Sequence, residues 1–170
     1  MMIFIIGPRS VGKSVVGSAL SGLLSCRFFD LDEAVLENLG AVGDENKFRH
    51  AELLKLELYL EDASGTHVIS LGGGAGVSGY EEIDQRMRSI LRSQGLVVCL
   101  LPYEDDRESL DVLQANEHIR GGWRTPALTK QLWSLRKEKY KSFSDIIVYT
   151  RERVPDAIAR EISVKIAEKE

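Results

Sequence analysis

A chain of 170 residues, 44% of them hydrophobic and 28% charged, has the composition of a soluble domain with room for one sizeable core, so a single domain over residues 1–170 is expected. Its formal net charge of −4 argues against a general nucleic-acid or membrane surface and confines anion binding to local clusters of Lys and Arg. The two cysteines, Cys26 and Cys99, match no metal or redox spacing and read as buried free thiols of a reducing compartment.

The apolar start, Met1 to Ile6, carries no basic flank and is too short for a signal or membrane segment. It reads as a first strand, and a cytoplasmic protein is expected. Directly after it stands Gly7-Pro8-Arg9-Ser10-Val11-Gly12-Lys13-Ser14. This is the G-x-x-x-x-G-K-S phosphate loop between a strand and a helix, in which backbone N–H groups and a helix dipole cradle an anion. Gly7, Arg9, Ser10, Val11, Gly12 and Val15 are expected to surround the phosphates of ATP. Lys13 is expected to reach the β and γ phosphates and Ser14 to touch Mg2+.

A helix is expected from Ser14 to Ser25, its core stripe formed by Val15, Val16, Ala19, Leu20, Leu23 and Leu24. A short strand at 27–29 ends in Asp30-Leu31-Asp32, whose carboxylates lie two residues apart and so project to one side. One of them would hold Mg2+ through water and the other orient an attacking hydroxyl; the plainer alternative is that Asp32 caps the next helix. That helix runs to Leu39, and 40–46 reads as loop by its Gly and Asp content.

Lys47 to Asp62 reads as a helix with Phe48, Leu53, Leu56 and Leu60 as apolar positions. Arg49 and Glu52 are neighbours on one of its faces, a pair that taken alone is usually solvated. His67 to Leu71 is a strand closed by Gly72-Gly73-Gly74, a second turn of phosphate size. Glu81 to Arg92 is an amphipathic helix with Ile83, Met87, Ile90 and Leu91 inward, and Leu96 to Leu101 a fully apolar strand suited to a sheet interior.

Glu104 to Gln114 reads as a helix. Residues 115–129, with Gly121-Gly122 and Pro126, read as a mobile loop in which Arg124 could close over a triphosphate. Leu132 to Phe143 is a helix whose Arg136 and Tyr140 look like a surface pair, Ile146 to Tyr149 the last strand, and Pro155 opens a final helix. The histidines at 50, 67 and 118 are scattered and are assigned no role. Alternating strand and helix periods predict a three-layer α/β/α fold around a five-stranded parallel sheet.

The order of these pieces resembles the shikimate kinase family over nearly the whole chain. The likeness is carried by the loop GPRSVGKS, Phe29-Asp30-Leu31-Asp32, Phe48-Arg49-His50-Ala51-Glu52, Leu71-Gly72-Gly73-Gly74, Arg124-Thr125-Pro126-Ala127-Leu128 and Arg136-Lys137-Glu138-Lys139-Tyr140. The resemblance implies ATP-dependent phosphorylation of the 3-hydroxyl of shikimate, a small carboxylate, with ATP and Mg2+ as cofactors, by a monomer without nucleic-acid or membrane partners. It gives Asp30 to Mg2+, Asp32 to the substrate hydroxyls as base or orienter, and Arg49 and Arg136 to the substrate carboxylate. Glu52 would fix Arg49, the Gly72 to Gly74 turn would offer N–H groups from Gly73 and Gly74, and Lys13 and Arg124 would act on the transferring phosphoryl. Arg153 and Pro155 would edge the adenine. The substrate-binding region would span about 32–62 and the lid about 115–129.

Three departures from the family pattern stand out. The segment between Asp32 and Arg49 is short, the lid reads Arg-Thr-Pro where the family has Arg directly before Pro, and Ser109 takes the place of an arginine, with Arg107 close by. These leave two other expectations: a kinase of the same fold for another small carboxylated or polyhydroxy acceptor, or a nucleotide-binding regulatory domain without turnover.

Overall fold

In the computed structural model, which describes residues 1–39, 43–122 and 124–169 and only the backbone of residues 38 and 39, the strands are β1 (Met2–Ile6), β2 (Arg27–Asp30), β3 (His67–Ser70), β4 (Gly95–Leu101) and β5 (Ile146–Tyr149). The helices are α1 (Lys13–Leu23), α2 (Leu31–Leu39), α3 (Glu45–Asp62), α4 (Glu81–Gln94), α5 (Asp106–Ile119), α6 (Pro126–Ser142) and α7 (Pro155–Ala167). Part of the expected 40–46 loop, and Trp123 in the expected lid, lie outside the described residues. No described helix is long and apolar enough to cross a membrane.

All strand pairs are parallel, in the order β2-β3-β1-β4-β5. β1 and β4 read as unbroken apolar runs because both faces of a central parallel strand are covered, and Ile3 to Ile6 and Val97 to Leu101 are 0–1% exposed. The chain leaves β1 toward β2 and β3 on one side and toward β4 and β5 on the other. Loops from both halves therefore gather at the carboxyl end of β1, where an open α/β sheet places its cleft. The expected three-layer parallel fold is the one observed.

β2 is not a neighbour of β1, since β3 lies between them. The Asp30 carboxylate nevertheless reaches the phosphate loop, because α1 leans across β3 and brings Ser14 to it. On α1 the buried face is Lys13, Val16, Gly17, Leu20 and Ser21, whereas Val15 and Leu23 are 57% and 49% exposed. The expected stripe was thus displaced at two positions: the phosphate loop fixes the rotation of the helix, turning Val15 out toward the cavity. Burying Val16 and Leu20 instead contributes on the order of 1.5–3 kcal/mol each.

Helices α3 and α6 share a less usual design. Each buries three residues at i, i+3 and i+7: Arg49, Glu52 and Leu56 on α3, and Trp133, Arg136 and Tyr140 on α6. Charged groups occupy positions that apolar patterning reserves for core residues. This corrects two expectations. The Arg49–Glu52 and Arg136–Tyr140 pairs are interior, and of the apolar positions assigned to α3 only Leu56 is fully buried, Phe48, Leu53 and Leu60 being half-buried.

The expected mobile loop at 115–129 is largely helical. Residues 115–119 extend α5, which ends where Arg120 N–H and Gly121 N–H bond back to Asn116 and His118 carbonyls, with Gly121 at φ 66°. Thr125 then caps α6 through its hydroxyl, which accepts from Leu128 N–H at 3.2 Å, and Pro126 takes the first helical position. Thr-Pro, which reads as a break, is here a helix start: the hydroxyl satisfies a free N–H, and proline has no N–H to leave unpaired.

The cysteines differ in burial. Cys99 lies in the sheet interior, and burial pushes its thiol up to about 12, while Cys26 is only half-buried. The first is inert, as expected; the second is not fully interior.

Candidate active site

The phosphate loop closes a cavity of about 1030 Å3 at the carboxyl end of the sheet. Gly12 caps α1 in the left-handed region, φ 99° and ψ 21°, a conformation that costs a residue with a Cβ about 1–2 kcal/mol. The start of α1 thereby stands at the cavity wall, and the free N–H groups of a helix's first turn form the positive end of its dipole. Arg9, Ser10, Gly12, Lys13, Ser14 and Val15 line it. Gly7 and Val11 stand behind this wall and shape the loop.

The Lys13 ammonium is buried and donates to the Pro8 carbonyl at 2.9 Å. Burial pushes its pKa down to about 8, against the upward pulls of Asp32 and Asp30, while Arg120 and Arg124 lower it further. A lysine so placed gains from a bound polyanion what it lost in hydration. Beside it, Ser14 Oγ donates to Asp30 Oδ2 at 2.5 Å. Hydroxyl and carboxylate oxygens together form a hard donor set that suits Mg2+, which takes one or two protein oxygens and completes its shell with water and phosphate.

Asp30, not Asp32, caps α2: its Oδ1 accepts from Glu33 N–H at 3.1 Å. The capping alternative for Asp32 therefore falls to its neighbour. Asp32 lines the cavity beside the Gly72 turn, where a Cβ would come within 2.9 Å of Asp32 Oδ1.

Arg49 and Arg136 come together although 87 positions separate them in sequence. Arg49 Nη1 donates to Glu52 Oε2 at 2.8 Å, and Glu52 Oε1 accepts from Gly72 N–H at 3.2 Å. Arg136 Nη1 donates to the Gly73 carbonyl at 3.4 Å, which also accepts from the Tyr140 hydroxyl. The remaining Nη2 groups turn toward a single atom, Glu45 Oε1, at 3.2 Å from Arg49 and 3.6 Å from Arg136. Burial pushes the Glu52 carboxyl above the ordinary range while the Arg49 charge pulls it back.

The glycine run is explained by what surrounds it. A Cβ at Gly72 would stand 2.5 Å from Glu52 Oε1, one at Gly73 2.8 Å from the Arg9 nitrogen, and one at Gly74 would overlap the Arg49 guanidinium. Only glycine lets the turn pass between the arginine cluster and the phosphate loop. The Gly72 N–H is committed to Glu52, which in turn holds Arg49, so Gly72 takes part through the arginine cluster.

The lid side is tied to the phosphate loop by α5. Glu117 is buried and accepts from Arg9 Nε at 3.1 and 3.2 Å and from Ser10 Oγ at 2.9 Å, and Asn116 Nδ2 donates to the Ser10 carbonyl at 3.1 Å. Against the upward push of burial, these partners hold the Glu117 carboxyl below the ordinary range. Arg124 and Arg120 both line the cavity. Burial and the like charges of Arg136 and Arg9 lower the Arg124 pKa.

Two expected positions lie elsewhere. Arg153 is engaged with the Tyr149 and Thr150 carbonyls and with Glu161, and neither it nor Pro155 belongs to the cavity wall. Ser109 is buried and pins Tyr103 by two backbone hydrogen bonds, while Arg107 is exposed away from the cavity. Of the arginines at either end of α5, Arg120 is the one that lines the cavity. Glu45, Asn116, Glu117 and Arg120 were not found by sequence reasoning. Glu45 carried a signal in its i, i+4 spacing to Arg49; the α5 residues carried none, since their partners are more than 100 positions away.

Comparison with known proteins agrees with this geometry. The family model for shikimate kinase matches residues 9–167. Shikimate kinase of Francisella tularensis subsp. holarctica is 30% identical over 176 residues, covering 98% of this chain and 94% of its own. In structure, the chain is similar to shikimate kinase from Acinetobacter baumannii in complex with shikimate (TM-score 0.82, 21% identity, 99% of this chain and 94% of the other). It is also similar to that from Aquifex aeolicus (TM-score 0.73, 25% identity, 99% and 98%). With a match over nearly all of its length, joined to a phosphate loop and two converging arginines, the chain belongs to the shikimate kinase family.

Proposed function

We propose that this chain transfers the terminal phosphoryl group of ATP to the 3-hydroxyl of shikimate, giving shikimate 3-phosphate and ADP. The observation that carries the reading is the convergence of Arg49 and Arg136 on one carboxylate oxygen at the wall of the phosphate-loop cavity. Two buried guanidinium groups, each anchored by its own partner, grip a small acid in a fixed pose, and fixing the acceptor supplies much of the rate in phosphoryl transfer.

In this reading Lys13 and the α1 N–H groups hold the phosphates and Ser14 with Asp30 holds Mg2+, whose chemistry when bound is to neutralise charge on the phosphate oxygens. Asp32 orients the acceptor hydroxyl and takes its proton, and Arg124 balances charge that builds on the transferring group. The apolar wall formed by Leu36, Phe48 and Leu132 excludes water that would otherwise hydrolyse ATP.

A coupled ADP-release assay with shikimate tests the proposal. Turnover that depends on shikimate, and that falls about 10^3-fold in Asp32→Asn, is expected. ATP binding without shikimate-dependent turnover would reject it. The short Asp32–Arg49 segment favours a second reading, phosphorylation of a different small carboxylated acceptor, and a panel of hydroxy acids in the same assay separates the two.

A further inference from the structure

Glu45 is the first residue of α3, behind the Asp44 cap, and its side chain is half exposed. Both arginines it pairs with are buried. Arg49 and Arg136 have 8% and 6% side-chain exposure, and their Nη1 groups are already committed, to Glu52 and to the Gly73 carbonyl. The Nη2 group of each points at Glu45 Oε1. Of the two cations, Glu52 balances one. Without Glu45 the cluster would hold an uncompensated buried charge, which is costly.

We infer that Glu45 is a resident competitor for the acceptor's carboxylate: it fills the anion seat between Arg49 and Arg136 and must be displaced by an incoming carboxylate, so that only an anionic acceptor gains entry. The inference rests on the proposed role of these two arginines in acceptor binding. The chemistry is an exchange of one carboxylate for another. A carboxylated acceptor restores the charge balance when Glu45 swings out, and Glu45, on the first turn of a helix with half its surface already in water, has somewhere to go. A neutral polyol or amide offers no compensation, because expelling Glu45 in its favour would strand a guanidinium charge in a dry site. Glu45 thus converts a charge preference into a threshold, at the expense of affinity for the proper acceptor.

An alternative role is purely structural: Glu45 could hold the two arginines in position and so help any ligand that reaches them. The two roles differ in sign. If Glu45 competes, Glu45→Gln lowers the KM for shikimate about three- to tenfold and leaves the KM for ATP where it was. Calorimetry without nucleotide then shows the same gain in shikimate affinity, and a gain at least as large for the carboxamide analogue of shikimate, because the variant has no resident charge to expel. Glu45→Ala, which removes the side chain's hydrogen bonding as well as its charge, gives the same direction. Weaker shikimate binding in both variants, or an unchanged affinity for the amide, would overturn the inference, as would shikimate failing to bind either variant. Absence of turnover in a wild-type protein that binds shikimate would instead sink the kinase proposal, and the calorimetric comparison would still decide the role of Glu45.

Discussion

The two ends of the cavity are built on different principles. At the proposed acceptor end, Arg49 and Arg136 are almost wholly buried, Arg49 held by Glu52 of its own helix and Arg136 by the Gly73 carbonyl of another segment, so their positions are set before any ligand arrives. At the proposed lid end, Arg120 is exposed and Arg9 and Arg124 half-buried, and the link to the phosphate loop runs through the Glu117 carboxylate and the Asn116 amide. A buried, multiply anchored arginine reads shape and loses little freedom on binding, whereas a half-exposed one can move to follow a phosphate. The contrast suits a kinase that must hold a small acceptor rigidly and fold a lid over a larger nucleotide.

The largest way to break this contrast is to remove the anchoring carboxylate at each end. Glu52→Gln leaves Arg49 buried without its buried charge partner, only the half-exposed Glu45 remaining, and the loss in unfolding free energy should be about 3 kcal/mol, with the KM for shikimate raised. Glu117→Gln acts on a pair whose arginine is 27% exposed, so a loss of no more than about 1–2 kcal/mol is expected, with the change falling on the KM for ATP. Denaturant unfolding and steady-state kinetics on both variants check this. Equal stability losses, or a shikimate effect from Glu117→Gln, would show that the ends are not separately organised.

Much of this division could be read from the sequence, and the part that could not has a common cause. The phosphate loop, the Asp30–Asp32 pair and the central strands β1 and β4 are local patterns, legible because backbone geometry and periodicity dictate them. Resemblance supplied Arg49, Glu52 and Arg136 as a set, which spacing alone would have left as surface pairs. Charged residues on a buried helical stripe defeat a rule that equates interior with apolar. Glu117 illustrates the harder case: its partners Arg9 and Ser10 lie 108 and 107 positions away, and nothing in its neighbourhood distinguishes it from a solvated glutamate on α5. The lid was misread for a third reason, because Thr125-Pro126 starts a helix as readily as it ends one.

A smaller effect sharpens the comparison through pH. Lys13 has its folded pKa lowered to about 8 by burial, so the folded chain holds this proton less tightly than the unfolded one, and its contribution to stability rises with pH between about 8 and the ordinary lysine value. A bound triphosphate favours the ammonium and reverses the shift. ATP binding should therefore take up a proton above pH 8, and affinity should fall about tenfold between pH 7 and pH 9. Calorimetry in two buffers of different ionisation enthalpy reads both quantities. A flat profile would mean that Lys13 is charged throughout and that its burial costs it nothing.

The smallest expected effect concerns the start of α6. Thr125 caps this helix, and Arg124 precedes the cap directly, so fraying of the first turn moves the lid cation but leaves the anchored Arg136, ten positions on from Pro126, in place. Thr125→Ala should cost about 1 kcal/mol of stability. Its kinetic signature should be a KM for ATP raised by a few-fold with little change for shikimate. Thr125→Ser, which keeps the accepting oxygen, should restore both. If Thr125→Ala instead weakened shikimate, the first turn of α6 would have to transmit its order along the helix to Arg136, and the acceptor end would depend on the lid after all. The hydrogen bonds of Arg136 and Tyr140 to the Gly73 carbonyl argue otherwise, since they hold the middle of the helix against the β3 turn independently of how the helix begins.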